Sequence, residues 1–458
     1  IGQADDGYFL LQSNLSLFSE RNRVGLKNRK YKISYYNKDL VYQWFMEVRP
    51  QERQYDVEKV LFVDNSVMIF YSSFDKQKEV LKYKTEVIDS KGKSTGYNSA
   101  TFEIPVDPSF YIEQIEIGFS KDKSKIFYAM SCTNESDDTF GLCYGISDRQ
   151  LNPIVSKSLK TSYDIKNYDT YQNVASNDGH FAHIGLVTEP SKENKKVLWE
   201  HYEMISSTKD ESGHQSRSVT LENREVTECF LSFDEKNKKL VVTGFYFDKN
   251  SFLASGVFMN TLDLNNSESG QKVPIAPLSE NIQIKLVTDR EKDFGRGLSN
   301  YTIQKTIMRN DGGAVILAES SYINQYSYYD YFTQTFNNRT EYHFDNVIVI
   351  SVNQDGSIDW NNIVRKNQES RDDMGVFSSY TPMIRQSEIV MFYNTNYHRN
   401  NEVLAEAVSN DGTQYQVTIA RAMEHLTLLP RAGKQTGLNE IVVPALQKRK
   451  LKLLKVSL

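Results

Sequence analysis

The chain holds seven histidines, at 180, 183, 201, 214, 343, 398 and 425, and only His180 and His183 stand close together. A zinc or copper site needs its imidazoles on one side of the chain. These two follow an Asn-Asp-Gly turn into a β-type stretch, where residues three apart face opposite ways, so the pair does not read as a metal site. Calcium chemistry has one candidate, Ser351 to Asp359, in which Asn353, Asp355 and Gly356 match the third, fifth and sixth residues of an EF-hand loop. Its first position is Ser351 and its twelfth Asn362, so the most strongly charged ligands are lacking and a hairpin turn explains the segment better. The sequence has no Gly-x-Ser-x-Gly elbow, phosphate-binding loop, dinucleotide-binding glycine run or His-Glu-x-x-His pair. Two carboxylates could cleave a glycoside, but among 59 acidic residues nothing selects a pair. No catalytic, metal-binding or cofactor-binding residue is assigned.

Cys132 and Cys143 lie where two strands of one hairpin run side by side. In an oxidising compartment they could close a short loop worth about 3 kcal/mol in the chain-entropy model; the alternative is two buried thiols. Cys229 reads as a small core residue.

Two stretches look like contact surfaces. Tyr322, Tyr326, Tyr328, Tyr329, Tyr331, Phe332 and Phe336 crowd one segment that lengthens the unit beginning near Tyr301. It reads as a long hairpin projecting beyond its sheet, with rings that offer contact area at low entropic cost. The competing reading is a hairpin folded back over its own sheet or filling a channel. The second stretch is basic: Arg21, Arg23, Lys27, Arg29 and Lys30, with Lys448, Arg449, Lys450, Lys452 and Lys455 near the other end. It is either a solvated surface or a contact for an acidic partner or anionic lipid.

Strands must position all of these. Short stretches alternate apolar and polar residues at period two, and hardly any segment keeps a helical period. Strands are expected at Asp39 to Val48, Ser66 to Tyr71, Ile112 to Phe119, Lys238 to Phe247, Ala314 to Ser321, Asn346 to Val352, Glu388 to Tyr393 and Lys450 to Ser457. Asp-Gly recurs at 6–7, 178–179, 311–312, 355–356 and 411–412, each a signal for a tight chain reversal.

The 458 residues would divide into about three domains at the usual size, but strand, turn and apolar strand recur in four-stranded units starting near Val57, Tyr111, Tyr168, Val226, Tyr301 and Val376. Such a repeat predicts an all-β β-propeller of four-stranded antiparallel blades. The blades fall at 5–48, 57–107, 111–158, 168–220, 226–276, 301–365 and 376–421, with 425–458 either closing the ring onto the N-terminal strands or forming an eighth. Tandem β-sandwiches are the alternative.

Composition excludes several classes. With 39% hydrophobic residues the chain can fold on its own core, and 54 basic against 59 acidic residues make a poor general nucleic-acid binder. No apolar run approaches a membrane-spanning helix.

The Tyr- and Asn-rich strands, the Asn-Asp-Gly turns and the segment Val349 to Trp360 resemble exported propeller-like proteins of the Bacteroidota, including plug-type subunits of the type 9 secretion translocon. The resemblance spans most of the chain in style and carries over no site residue. It implies a periplasmic protein associated with the outer membrane, partnered with a translocon barrel whose mouth it occludes. The chain opens without an initiator Met and ends on a propeller-like strand, which fits a processed periplasmic resident. The expected function is thus a non-catalytic interaction and gating module, the alternative a glycan-binding or glycoside-cleaving propeller using axial carboxylates and aromatics.

Overall fold

A computed structural model describes residues 1–13, 31–98, 100–190, 198–207, 214–221, 224–248, 254–263, 273–279, 282, 300–332, 334–395, 401–448 and 450–458. The chain is all-β, an array of propeller blades. Among the described residues, eight antiparallel sheets follow one another at 2–48, 56–105, 110–164, 168–219, 224–277, 301–371, 381–420 and 426–457. Within nearly every sheet the strands pair in chain order, an up-and-down meander. The first sheet draws its four strands from 2–48 alone. Leu426–Leu428 and Lys434–Gly437 pair with Glu440–Gln447, as does Lys450–Ser457, so these strands build an eighth sheet instead of completing the first.

The Asp-Gly signals resolve into one turn geometry. In 176–180, 309–313, 353–357 and 409–413 the first residue's N–H donates to the fifth residue's carbonyl, and the glycine N–H donates back to the first carbonyl. The four glycines have φ between 82° and 93°, where a side chain would be strained. The calcium-like segment is one of these turns, with Asp355 accepting from the Ser357 amide and hydroxyl. Gly7 differs. It opens a strand, and a Cβ there would lie 2.1 Å from the Tyr36 carbonyl oxygen.

The chain divides into two compact units, one of residues 2–249 with 259–273, the other of residues 1, 250–258 and 274–458. Among the described residues of the first unit, three apolar cores lie between successive sheets. Phe9, Ile33 and Tyr71 fill the core between sheets one and two; Phe70, Phe102 and Tyr128 the next; Phe140, Tyr144 and Phe181 the third. Neighbouring residues of one strand, such as Phe70 and Tyr71, therefore enter different cores. Sheets buried on both faces need continuous apolar runs in their central strands, and this explains why Ser66–Asp75 and Lys125–Asn134 are buried over several consecutive residues. A tandem sandwich would bury one face of each sheet; serial stacking is the packing of propeller blades. In the second unit, Leu317, Val349 and Tyr393 form the core between sheets six and seven, and Met383, Phe392 and Val443 that between seven and eight.

Buried carboxylates recur on third strands. Glu86 accepts from Tyr71 Oη at 2.6 Å, and Glu406 from Tyr393 Oη at 2.6 Å. Glu203 accepts from Ser216 and Ser218 of the neighbouring fourth strand. Each accepts hydrogen bonds from its own sheet, as buried charge requires. Cys132 and Cys143 are free, buried thiols with their Sγ atoms 3.8 Å apart, and Cys229 is buried as well. No helix among the described residues is long and apolar enough to cross a membrane.

Candidate functional site

Sheet six carries the longest strands among the described residues, Ala314–Asp330 and Thr335–Val352, paired from Ala314 with Val352 to Asp330 with Thr335. Their outer neighbours stop early. The first strand of the sheet reaches only Ser320, its fourth covers Val347 to Val352, and Gln368–Arg371 covers Glu341 to Phe344. Among the described residues, 325–330 and 335–340 are a two-stranded ribbon beyond the sheet. A register shift between Glu319 and Ser321 marks the departure; such a bulge bends and twists a strand where it leaves regular pairing.

Strand alternation sorts the aromatic run onto two faces. Tyr322, Tyr326 and Tyr328 share one face with Arg339, Glu341 and His343. There Tyr322 stacks on His343 with centroids 4.5 Å apart, Arg339 lies over the Tyr328 ring, and Tyr326 Oη donates to Glu341 at 3.0 Å. This face is occupied by its own neighbours. The other face carries Ile323, Tyr329 and Phe336, and it leads to the tip. Tyr329 meets both Tyr331 and Phe336 edge-on with centroids 5.1 Å apart. Tyr331 is 84% exposed, Phe336 77%, and Phe332 wholly so. Of the seven predicted aromatics, Tyr322, Tyr326 and Tyr328 contact partners across the hairpin, Tyr329, Tyr331 and Phe336 contact one another at its end, and Phe332 next to Tyr331 is wholly exposed.

Below the tip lies a band of paired charges. Arg371 contacts Glu341 at 3.2 Å and Glu369 at 2.9 Å, and Arg339 contacts Asp372 at 3.5 Å. Asp372 also ties the ribbon backbone, accepting from the Thr340 amide while its own amide donates to the Thr340 carbonyl.

The root of the hairpin holds a buried polar cluster that the sequence reading missed. Glu319 Oε1 lies 2.6 Å from Lys366 Nζ, with both side chains 1% exposed, and Glu319 Oε2 accepts from Ser379 Oγ at 2.6 Å. Lys366 also donates to the Phe344 carbonyl and to Gln368 Oε1. Gln368 Oε1 accepts from the Ser379 amide, and its Nε2 donates to the Asn394 carbonyl at 2.6 Å. Burial draws the Lys366 ammonium below the usual lysine range, opposed by Glu319. The loop closing this cluster has positive φ at Asp372, Met374, Gly375 and Ser379. Three of the four are not glycine, a strain of order 1–3 kcal/mol each that the surrounding bonds must hold. Arg431 helps by donating to the Met374 and Gly375 carbonyls, its guanidinium over the Phe344 ring. A lone Glu after five apolar residues, at Ala314 to Glu319, was the one available sign of this site.

Arg21, Arg23, Lys27, Arg29, Lys30 and Arg449 lie outside the described residues. Lys450 and Lys452 are exposed on the final strand, where lysines discourage edge-to-edge pairing. His183 is buried rather than metal-facing: Tyr168 Oη and Asn173 Oδ1 sit 2.9 and 2.8 Å from its ring nitrogens. Among the described residues no group of three or more His, Cys, Asp and Glu could hold a metal ion.

No family model matches the chain, and no curated protein does. Among solved structures it is similar to the polysaccharide lyase Uly1, at 10% identity and a TM-score of 0.37 over 99% of this chain and 98% of that one. It is also similar to the Dos1 propeller, at 8% identity and a TM-score of 0.32 over 84% and 90% of the two chains. A third is the Penicillium chrysogenum α-L-arabinanase, at 9% identity and a TM-score of 0.30 over 68% and 93%.

Proposed function

We propose that the chain is a non-catalytic propeller that serves as an interaction module, with the tip of the sixth-sheet hairpin seated in a partner protein. One observation carries this reading: the ribbon runs beyond its sheet and holds Tyr329, Tyr331 and Phe336 together in water, with Phe332 wholly exposed next to Tyr331. An exposed aromatic cluster on a braced ribbon contributes binding energy when covered, at roughly 25 cal/mol per Å² of apolar surface. The charges beneath it are already paired, so the fitting partner presents an apolar pocket with an uncharged polar rim rather than an anionic surface. The resemblance to exported Bacteroidota propellers supplies the setting: the periplasmic face of an outer-membrane assembly, where the module occludes a secretion translocon barrel.

The experiment is native purification after cross-linking in the source cells, comparing the intact chain with a variant lacking 324–337. The reading expects a stoichiometric complex containing an outer-membrane barrel, lost in the variant while its melting temperature stays unchanged. Recovery of the intact chain as a free monomer overturns it. A variant that fails to fold shows the hairpin to be part of the core; Phe332→Ala with Phe336→Ala, which removes only exposed rings, then decides the matter.

A further inference from the structure

The second unit contains a cleft of about 510 Å³ between sheets six and seven, separate from the hairpin tip. Its size lies within the usual range for small-molecule sites. Two guanidinium groups and two carboxylates line it, Arg309 and Arg385 against Asp359 and Glu388, together with Trp360 and the turn residues Ser409 and Asn410.

The charges are spoken for. Arg309 donates to Ser351 Oγ at 2.6 Å and to Asp359 Oδ2 at 3.0 Å, and it also pairs with Asp311. Arg385 pairs with Glu388 and donates to Asn439 at 3.0 Å. Glu388 accepts from Tyr415 Oη as well. The lining carries no net charge, so neither an anion nor a cation gains from entering, and the apolar side chains of Ile307, Val315, Ile389 and Val408 stand beside the paired polar groups. These groups are also held by their neighbours before any ligand arrives, which lowers the entropic cost of binding.

Trp360 supplies the remaining feature. Its indole packs partly into the core with Ile307 and lies against the turn at Gly412, where a Cβ would sit 3.5 Å from the indole carbons. Asn362 Nδ2 donates to the Gly412 carbonyl at 2.7 Å and ties that turn to sheet six. A half-buried indole beside fixed carboxylate acceptors and guanidinium donors suits a ligand with one C–H face and a rim of hydroxyls. The geometry points to a neutral oligosaccharide of two or three sugar residues as the occupant of this cleft.

Isothermal titration of the full chain tests this with cellotriose, xylotriose, laminaritriose, mannotriose, arabinotriose and chitotriose, and with trigalacturonate as the charged arm. At least one neutral trisaccharide should bind, Trp360→Ala should weaken it at least tenfold, and Trp360→Phe should restore part of the loss. Gln386→Ala, a cleft variant outside the ion pairs, should weaken it by a smaller factor if the main fold is intact by thermal melting. The inference is overturned if none of the neutral sugars binds, if trigalacturonate binds as well as they do, or if Trp360→Ala leaves binding unchanged. Deleting 324–337 should leave sugar binding intact, so this result and the fate of the hairpin reading are independent.

Discussion

The Lys366 ammonium lies 2.6 Å from the Glu319 carboxylate with both side chains removed from water, joining the strand that becomes the projecting hairpin to the segment that folds back beside it. Taking two charges out of water costs several kcal/mol per ion, recovered only when every remaining donor and acceptor is met. Here Ser379, Gln368 and the Phe344 carbonyl meet them.

Breaking the pair on one side leaves a buried carboxylate hydrogen-bonded by Ser379, with Arg431 as the remaining nearby cation among the described residues. Lys366→Met should therefore destabilise the chain by about 3–5 kcal/mol in urea unfolding, and pairing it with Glu319→Gln should recover part of the loss. Equal losses for the single and double variants would show that the pair contributes only through packing.

His183 sets a pH dependence. Asn173 Nδ2 donates to Glu116 at 2.7 Å, which leaves Asn173 Oδ1 to accept from His183 Nδ1–H, so Nε2 accepts from Tyr168 Oη. The ring is thus held neutral, and burial lowers its pKa from 6.5 to about 3. Between these two values the unfolded chain binds the proton and the folded chain does not. The stabilisation is complete above pH 6.5 and is lost as pH falls towards 3, at a slope approaching about 1.4 kcal/mol per pH unit. Urea midpoints measured from pH 7 to pH 4 should show a shallower decline in His183→Gln; an unchanged slope would exclude this histidine as the source.

Two turn glycines share a backbone conformation but not their surroundings. Gly356 and Gly412 have φ of 85° and 82°. A Cβ at Gly412 meets Trp360 at an ordinary 3.5 Å, whereas at Gly356 it would lie 2.4 Å from the Pro274 ring. Gly412→Ala should cost about 1–2 kcal/mol, the strain of the left-handed region alone. Gly356→Ala should cost distinctly more, and the ranking is read from paired thermal melts.

The three thiols offer a check on burial. Cys132, Cys143 and Cys229 are each 0% exposed; the hydrogen bond to Cys143 and then burial raise the pKa of Cys132, and burial raises that of Cys229. The reduced native chain should release almost no colour with Ellman's reagent over minutes, then three equivalents on unfolding. Rapid reaction of a single thiol in the native state would contradict the packing of its strand.

Much of the architecture was local information. Period-two alternation identified strands such as Lys450–Ser457, and Asp-Gly pairs marked four turns whose glycines adopt positive φ, because both signals depend only on residues next to one another. The excess of rings between Tyr322 and Phe336 likewise announced a hairpin longer than its sheet needs, since strand length is written in consecutive residues. Alternation could not say which rings would be exposed. That depends on cross-strand register, which sets Tyr322 against His343 and leaves Phe336 beside Tyr329 at the open end.

Only the tertiary structure brought Glu319 to Lys366, 47 positions away in the chain, or placed Trp360 in one cleft with Arg385 and Glu388. An acidic or basic residue on a strand looks the same in sequence whether water or a counter-charge awaits it. The partner is chosen by how the sheets stack and in which register, a global minimum of burial and hydrogen bonding that no short window of residues contains.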